Sequence, residues 1–346
     1  MFYIRCGLFV KLDVFLTKII ISMHSIEQYR TAFISYLESR TKTKEPKNLY
    51  EPITYILGLG GKRLRPVLTL MAAEIFDKNY RNALDAALAI EIFHNFSLVH
   101  DDIMDAAPLR RGKSTVHEKW DVNTAILSGD AMLITAYQLF ENYEVNIFHD
   151  LARLFGKTAL QVCEGQQYDV DFETREDVTV PEYLKMIEYK TAVLVGAALK
   201  MGGIVAGASE AHQNHIYQFG RNLGIAFQLQ DDYLDAFGDP KTFGKQVGGD
   251  IIANKKTFLY LTARDLASVE QKRAMEHLFS IYPKDATDKV NTVKEIFEQS
   301  SAVEKTKEAI QKYTHEAFDV LDKLEISAEK RALLENFGKQ LMHREV

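Results

Sequence analysis

From Met23 onward the apolar positions recur at three- and four-residue spacing in almost every segment, and no window sustains the alternation of a strand. This pattern predicts helices over 26–39, 49–57, 67–76, 83–105, 125–140, from about 146 to 168, and 211–236. Glu45-Pro46 breaks the chain before the second of these, and Gly58-Leu59-Gly60-Gly61 forms a flexible turn before the third. Ala106-Ala107-Pro108 ends the helix over 83–105, leaving 109–120 as a basic loop. The acidic stretch 171–177 is expected as a loop, with Val180-Pro181-Glu182 opening the next helix. Lys190-Thr191 is expected at a helix start, ahead of the small-residue run AVLVGAALKMGGIVAGAS. A glycine-punctuated loop over 238–254 and charged amphipathic helices after Thr257 complete a single all-α domain without repeats. Residues 1–22 are apolar but interrupted by Arg5, Lys11, Asp13 and Lys18. No membrane span is expected there. The segment is expected to lie outside the fold, with Met23 as the true start and 23–346 as the domain.

Composition narrows the class. With 346 residues, 47% hydrophobic and 26% charged, the chain is long enough to bury a large core. A net charge of −6 and no face-wide run of Lys and Arg argue against nucleic acid as a partner. Cys6 and Cys163 have no paired spacing for a metal or a disulfide framework, as expected of a cytoplasmic protein.

The chemistry concentrates in 91–111, EIFHNFSLVHDDIMDAAPLRR. On a helix Asp101 and Asp105 share a face one turn apart, with His94 and Ser97 on the same stripe. Unpaired carboxylates beside Phe93, Phe96 and Val99 are costly, and Arg110 and Arg111 alone do not suffice as counter-ions. Asp231 and Asp235 repeat the spacing in an equally apolar setting, with Gln228 about one turn earlier. Two such pairs across a cavity make an oxygen cage for hard divalent ions, magnesium first among them. Lys62 and Arg65 follow the glycine turn at a helix start, where backbone N–H groups also favour anions. No strand precedes that turn, which excludes a dinucleotide site. A second glycine loop ending in Gly244-Lys245 has the wrong spacing for a P-loop, but it brings Lys245 and Lys255 near the second aspartates. Singly, each feature has an ordinary use, such as a solvated helix face or a core histidine. Together they describe a pocket for metal ions, phosphates and a hydrocarbon, in which a diphosphate leaves and water is kept from a carbocation.

At these residues the sequence resembles the trans-isoprenyl diphosphate synthases, or polyprenyl synthetases. The matching motifs are GGKRLRP at 60–66, HDDIMD at 100–105, LRRGKSTVH at 109–117, GDAML at 129–133 and EGQQYD at 164–169. KTA at 190–192, FQLQDDYLD at 227–235, GKQVGGDI at 244–251 and KKT at 255–257 complete the set. The resemblance implies an all-α isoprenoid synthase fold with helices around a large central cavity. It implies a homodimer and about three magnesium ions per site. Isopentenyl diphosphate would lie on Lys62, Arg65, His94 and Arg111. The allylic diphosphate would be bridged by metal to Asp101, Asp105 and Asp231, with Arg110, Lys190, Thr191, Gln228, Lys245 and Lys255 completing its shell. Gln166 and Asp169 are similar to the family's pair beside the reacting centre. Asp102 and Asp235 would act as outer or water-mediated metal ligands. The implied reaction is ionisation of the allylic substrate, attack by the isopentenyl double bond, and proton loss.

A terpene cyclase also uses an aspartate-rich site, but Lys62, Arg65 and His94 and the second DDxxD motif speak against it. A silent partner subunit is expected to have lost one aspartate cluster, and both are intact. Product length turns on the level about 5.4 Å below Asp101, one turn earlier. There Ser97 is small and Phe96 brings a ring, which in the family closes the tunnel of a short-chain enzyme. Geranylgeranyl diphosphate is the expected product ahead of farnesyl diphosphate.

Overall fold

The computed structural model describes residues 23–76, 79–239 and 247–343. Helix α1 (Ile26–Arg40) opens on a capping box, in which Ser25 Oγ accepts the Gln28 N–H and the Gln28 side chain accepts that of Ser25. Helices α2 (Lys47–Gly58) and α3 (Leu64–Ile75) flank the glycine turn, with Pro66 tolerated in the first turn of α3. A 3-10 turn at Tyr80–Ala83 leads into α4 (Leu84–Met104), the helix of the first aspartates. Short α5 (Val116–Lys119) is followed by α6 (Val122–Gln138) and α7 (Val145–Thr174). A second capping box, Thr179 with Glu182, starts α8 (Val180–Ile187), and Pro181 fits its first turn. Beyond it lie α9 (Val193–Val205) and α10 (Glu210–Phe237), the latter carrying the second aspartates. The rest is α11 (Gly249–Ile252), α12 (Phe258–Leu266), α13 (Val269–Leu278), α14 (Thr287–Gln299), α15 (Ala302–Leu321) and α16 (Ala328–Met342).

The small-residue helix α9 stands at the centre, buried along nearly its whole length and packed on α3, α7 and α10. Its glycines permit the contact. A β-carbon at Gly202 would lie 2.2 Å from the Thr69 carbonyl oxygen of α3. Thr69 Oγ1 returns a hydrogen bond of 2.9 Å to Ala198 O, so the two backbones are locked together. Around this layer Phe93, Phe140, Phe155 and Phe219 are fully buried, each contributing about 1.5–3 kcal/mol of transfer free energy. Helices α4 and α10 both stand on this layer, which holds the two aspartate clusters in a fixed relation.

Four local expectations change. Helix α7 runs to Thr174, so 171–174 is helical and the acidic loop is shorter than expected. Lys190-Thr191 does not begin a helix; Glu188–Ala192 is a π-helical turn joining α8 to α9 without a break. The basic loop after α4 contains a small antiparallel pair, β1 (Leu109–Arg110) with β2 (Lys113–Ser114). Its turn residues Arg111 and Gly112 have φ of 53° and 72°, the hand that matches strand twist in a tight hairpin. The 238–254 loop contains α11. The segment 1–22 and Lys245 lie outside the described residues. Among those described, no helix is long and apolar enough to cross a membrane.

Candidate active site

The C-terminal turns of α4 and α10 meet at a cavity of about 560 Å³. Asp105 lines it from α4, and Asp231, Asp232 and Asp235 from α10. Carboxylates at helix C-termini face the negative end of the helix dipole, so cations are needed there. The opposite wall supplies them, Lys190 from the π turn and Lys255 from the segment after α11, with the Thr191 hydroxyl beside Lys190.

Lys190 is the hub. Its Nζ lies 2.5 Å from Asp169 on α7 and 3.6 Å from Asp101 on α4. Burial alone would lower the Lys190 ammonium, but Asp169 and Asp101 outweigh it and hold the pKa above its ordinary value. Lys255 behaves alike: burial lowers it, and Asp250, Asp169 and Asp105 raise it further. Asp105 is pushed up by burial and then by Asp101. Asp101 Oδ1 is buried and accepts no hydrogen bond.

The π turn owes its position to Gly165 of α7, where a β-carbon would fall 2.2 Å from Lys190 N. A π turn shifts the side-chain register of a helix, a device frequent at functional sites. Thr191 Oγ1 thereby reaches Gln228 Oε1 at 3.2 Å, and Gln228 Nε2 donates to Asp232 Oδ1 at 2.9 Å. Tyr183 on α8 donates to the other Asp232 oxygen. Burial, and next Asp250, push the Asp232 carboxyl up, against the lowering effect of these two donors. Asp232 thus serves as the buried anchor of the wall that carries Thr191.

A second cavity, about 350 Å³, is lined by Lys62, Arg65, His94 and Arg111. Arg65 Nη1 donates to His94 Nε2 at 3.2 Å, since a guanidinium has no acceptor; the imidazole proton therefore sits on Nδ1. Burial, followed by Arg65, Arg111, Arg110 and Arg63, holds His94 well below the ordinary histidine pKa. Arg65 Nε is buried without an acceptor. Arg63, at φ 52°, turns inward to a buried ion pair with Glu91 and donates to Leu57 O. Arg111 donates to Gly60 O, closing the glycine turn over the cavity. The result is a cation-rich pocket with the Arg65 Nε donor open, chemically suited to a phosphate.

Most of the expected residues therefore assemble into two neighbourhoods. Asp105, Asp169, Lys190, Thr191, Gln228, Asp231, Asp235 and Lys255 line the first, with Asp101 tied in through Lys190. Gln166 stands on α7 ahead of Asp169, its Nε2 buried without an acceptor. Three placements differ from expectation. Arg110 lines neither cavity; its guanidinium grips Asp102 through Nε and Nη2 at 2.7–2.8 Å, and Nη2 also stands 3.9 Å from Asp101 Oδ2. Asp235 has a second employment, accepting the Asp250 N–H at 2.8 Å and holding α11. Phe96 and Ser97 line neither cavity: Phe96 packs between Phe93 and His100, and Ser97 Oγ donates to His94 O at 2.9 Å. Sequence reasoning gave no role to Gly165, Tyr183, Glu91 or Asp250. Their partners lie 15 to 49 positions away, beyond any local pattern.

Among the described residues, no three His, Cys, Asp or Glu side chains converge closely enough to hold an ion alone. The donor set nevertheless fits magnesium, which takes one or two carboxylates and leaves its other positions to water and phosphate. Asp101 Oδ1, which accepts no hydrogen bond and has only the Lys190 ammonium at 3.6 Å, is such a donor.

The all-α scaffold joins an acidic, lysine-bearing cavity to one rich in cations, where Glu91 is paired with Arg63. The chain belongs to the polyprenyl synthetase family, whose model matches residues 46–299. It is a prenyltransferase of the trans-isoprenyl class. A geranylgeranyl diphosphate synthase of Methanosarcina mazei is 43% identical, over 63% of this chain and 68% of that protein. A geranylfarnesyl diphosphate synthase of Natronomonas pharaonis is 35% identical, over 92% of this chain and 97% of its own. A crystal structure of a geranylgeranyl pyrophosphate synthase superposes with a TM-score of 0.90 at 54% identity, covering 94% of this chain and all of that one.

Proposed function

We propose that this chain condenses isopentenyl diphosphate with an allylic diphosphate, head to tail, and makes a short all-trans prenyl diphosphate. Geranylgeranyl diphosphate is the favoured product, ahead of farnesyl diphosphate. The observation that carries this reading is the pair of separate cavities, one with aspartates and lysines together, the other with Lys62, Arg65 and Arg111 beside a Glu91 already paired with Arg63. Lys62, Arg65, His94 and Arg111 hold isopentenyl diphosphate through charge-assisted bonds. Lys190, Thr191, Gln228 and Lys255 hold the allylic diphosphate, and Asp169 keeps the Lys190 ammonium charged and aimed. Bound on Asp101, Asp105, Asp231 and Asp235, magnesium would neutralise charge on the departing diphosphate.

The allylic C–O bond breaks with its electron pair on the diphosphate, the isopentenyl double bond forms the new C–C bond, and the proton left over passes to the released diphosphate. Gln166 brings a buried amide to the neighbourhood of Asp169. Phe96, beside Ser97, limits the growing tail. The names of the relatives support a chain of geranylgeranyl length. Exposed Val122, Ile126, Leu127 and Ile134 on α6, with Phe148 and Leu160 on α7, support the expected homodimer.

The test is incubation with isopentenyl diphosphate, magnesium and each allylic starter, followed by chromatography of the products. Geranylgeranyl diphosphate should dominate, and Asp101→Ala or Asp231→Ala should lower turnover by about several powers of ten in a folded protein. Near-normal rates in either variant at saturating magnesium would defeat the assignment.

A further inference from the structure

Behind the wall of the first cavity, α14 carries Lys289, only 3% exposed. Its ammonium donates to Asn254 Oδ1 and, at 3.1 Å, to Ile281 O, and it reaches Ile252 O at 3.5 Å. The Phe279 and Tyr282 rings each stand 5.7 Å away. These described partners are neutral oxygens and ring faces, with no carboxylate among them. Burying an ammonium without a counter-ion is expensive, and an apolar side chain of similar volume would avoid the cost.

The partners indicate what the lysine holds. Ile252 ends α11, so its carbonyl belongs to the last turn, where a positive charge is favoured. Asn254 follows at φ 58°, in the left-handed region, and there reverses the chain. The next residue is Lys255, whose N–H donates to Asp250 O at 2.9 Å. At the other end of α11, Asp235 accepts the Asp250 N–H at 2.8 Å. The segment is therefore pinned twice, by an aspartate facing the cavity and by a buried lysine behind it. At the first pin it presents Asp250 to the cavity, and directly after the second it presents Lys255.

We propose that Lys289 is a positioning residue of the condensation reaction: by fixing the Asn254 turn it sets where Lys255 and Asp250 stand against the allylic diphosphate. The inference rests on the assignment of that cavity to the allylic substrate. Lys289 itself touches no substrate. Its influence falls on one of the two substrates, because the basic cavity around Lys62 and Arg65 shares no lining residue with this wall.

The experiment compares the full-length protein with Lys289→Met, which keeps length and removes the charge. Amide hydrogen exchange is measured without substrate, and steady-state kinetics with each diphosphate varied in turn. Exchange at 253–256 should accelerate, and the KM for the allylic partner should rise about tenfold while that for isopentenyl diphosphate stays within about twofold. Asn254→Gly, which tolerates the positive φ but lacks the acceptor, should show the same selective effect more weakly, and serves where Lys289→Met does not fold. Unchanged exchange at 253–256 in the folded variant overturns the proposal. So does a parallel rise in both KM values, the mark of general loosening, or a selective effect absent from both variants. An inactive wild-type protein would instead defeat the proposed function, and the exchange result alone would then decide whether Lys289 holds the turn.

Discussion

Gly165 on α7 and Lys190 in the π turn touch main chain to main chain, leaving no room for a β-carbon, which would fall 2.2 Å from Lys190 N. The contact fixes the turn that aims Lys190 between Asp169 and Asp101. Gly165→Ala should displace the π turn and lower turnover by at least about tenfold, with a stability loss of about 1–3 kcal/mol from overpacking. Urea melts and initial rates would measure both, and an alanine variant with unaltered kinetics would show that the turn does not set the lysine.

The two cavities predict separable substrate sites. Lys62→Ala should chiefly raise the KM for isopentenyl diphosphate, and Lys190→Ala that for the allylic partner. Lys190→Ala should also lower kcat, because Asp169 and Asp101 lose their shared cation. Kinetics with each substrate varied in turn decide the matter, and identical effects from both changes would count against two sites.

His94 predicts a pH dependence of stability. Burial and the surrounding guanidinium groups hold its pKa well below the ordinary value, so the folded protein refuses a proton that the unfolded chain accepts. Stability from this group is complete above about pH 6.5 and declines as pH falls below it, by at most about 1.4 kcal/mol per pH unit. Denaturant midpoints of wild type and His94→Asn at pH 7, 6 and 5 should show the wild-type advantage shrinking toward acid. A difference constant across that range would mean that His94 titrates normally.

Phe96 predicts product length. Its ring lies 5.5 Å from that of Phe93 and 4.7 Å from that of His100, and it is 8% exposed. Phe96→Ala should move the product distribution toward longer chains, at a stability cost of about 3–5 kcal/mol. Chromatography of the prenyl products reads the shift; an unchanged distribution in a folded, active variant would remove Phe96 from the role.

The helical periodicity determined the all-α class, and the matched spacing of Asp101 with Asp105 and of Asp231 with Asp235 marked the two helices that carry the chemistry. Both signals are local: a helix repeats every 3.6 residues, so face-sharing is written into spacing. The motifs likewise named Lys62, Arg65, His94, Lys190, Thr191 and Gln228 as site residues. Tertiary structure alone decided which charges are free to act. Arg110 is expected in the phosphate shell, and only the folded chain shows its guanidinium on Asp102, next to Asp101. Lys190-Thr191 looked like a helix start, because the glycine that forces a π turn lies on another helix. Tyr183 and Asp232, Arg63 and Glu91, and Lys289 and Asn254 are paired across long sequence separations. Such pairs form because a buried polar group must find a partner wherever the packed helices bring one, and that choice is made by packing between elements far apart in the chain.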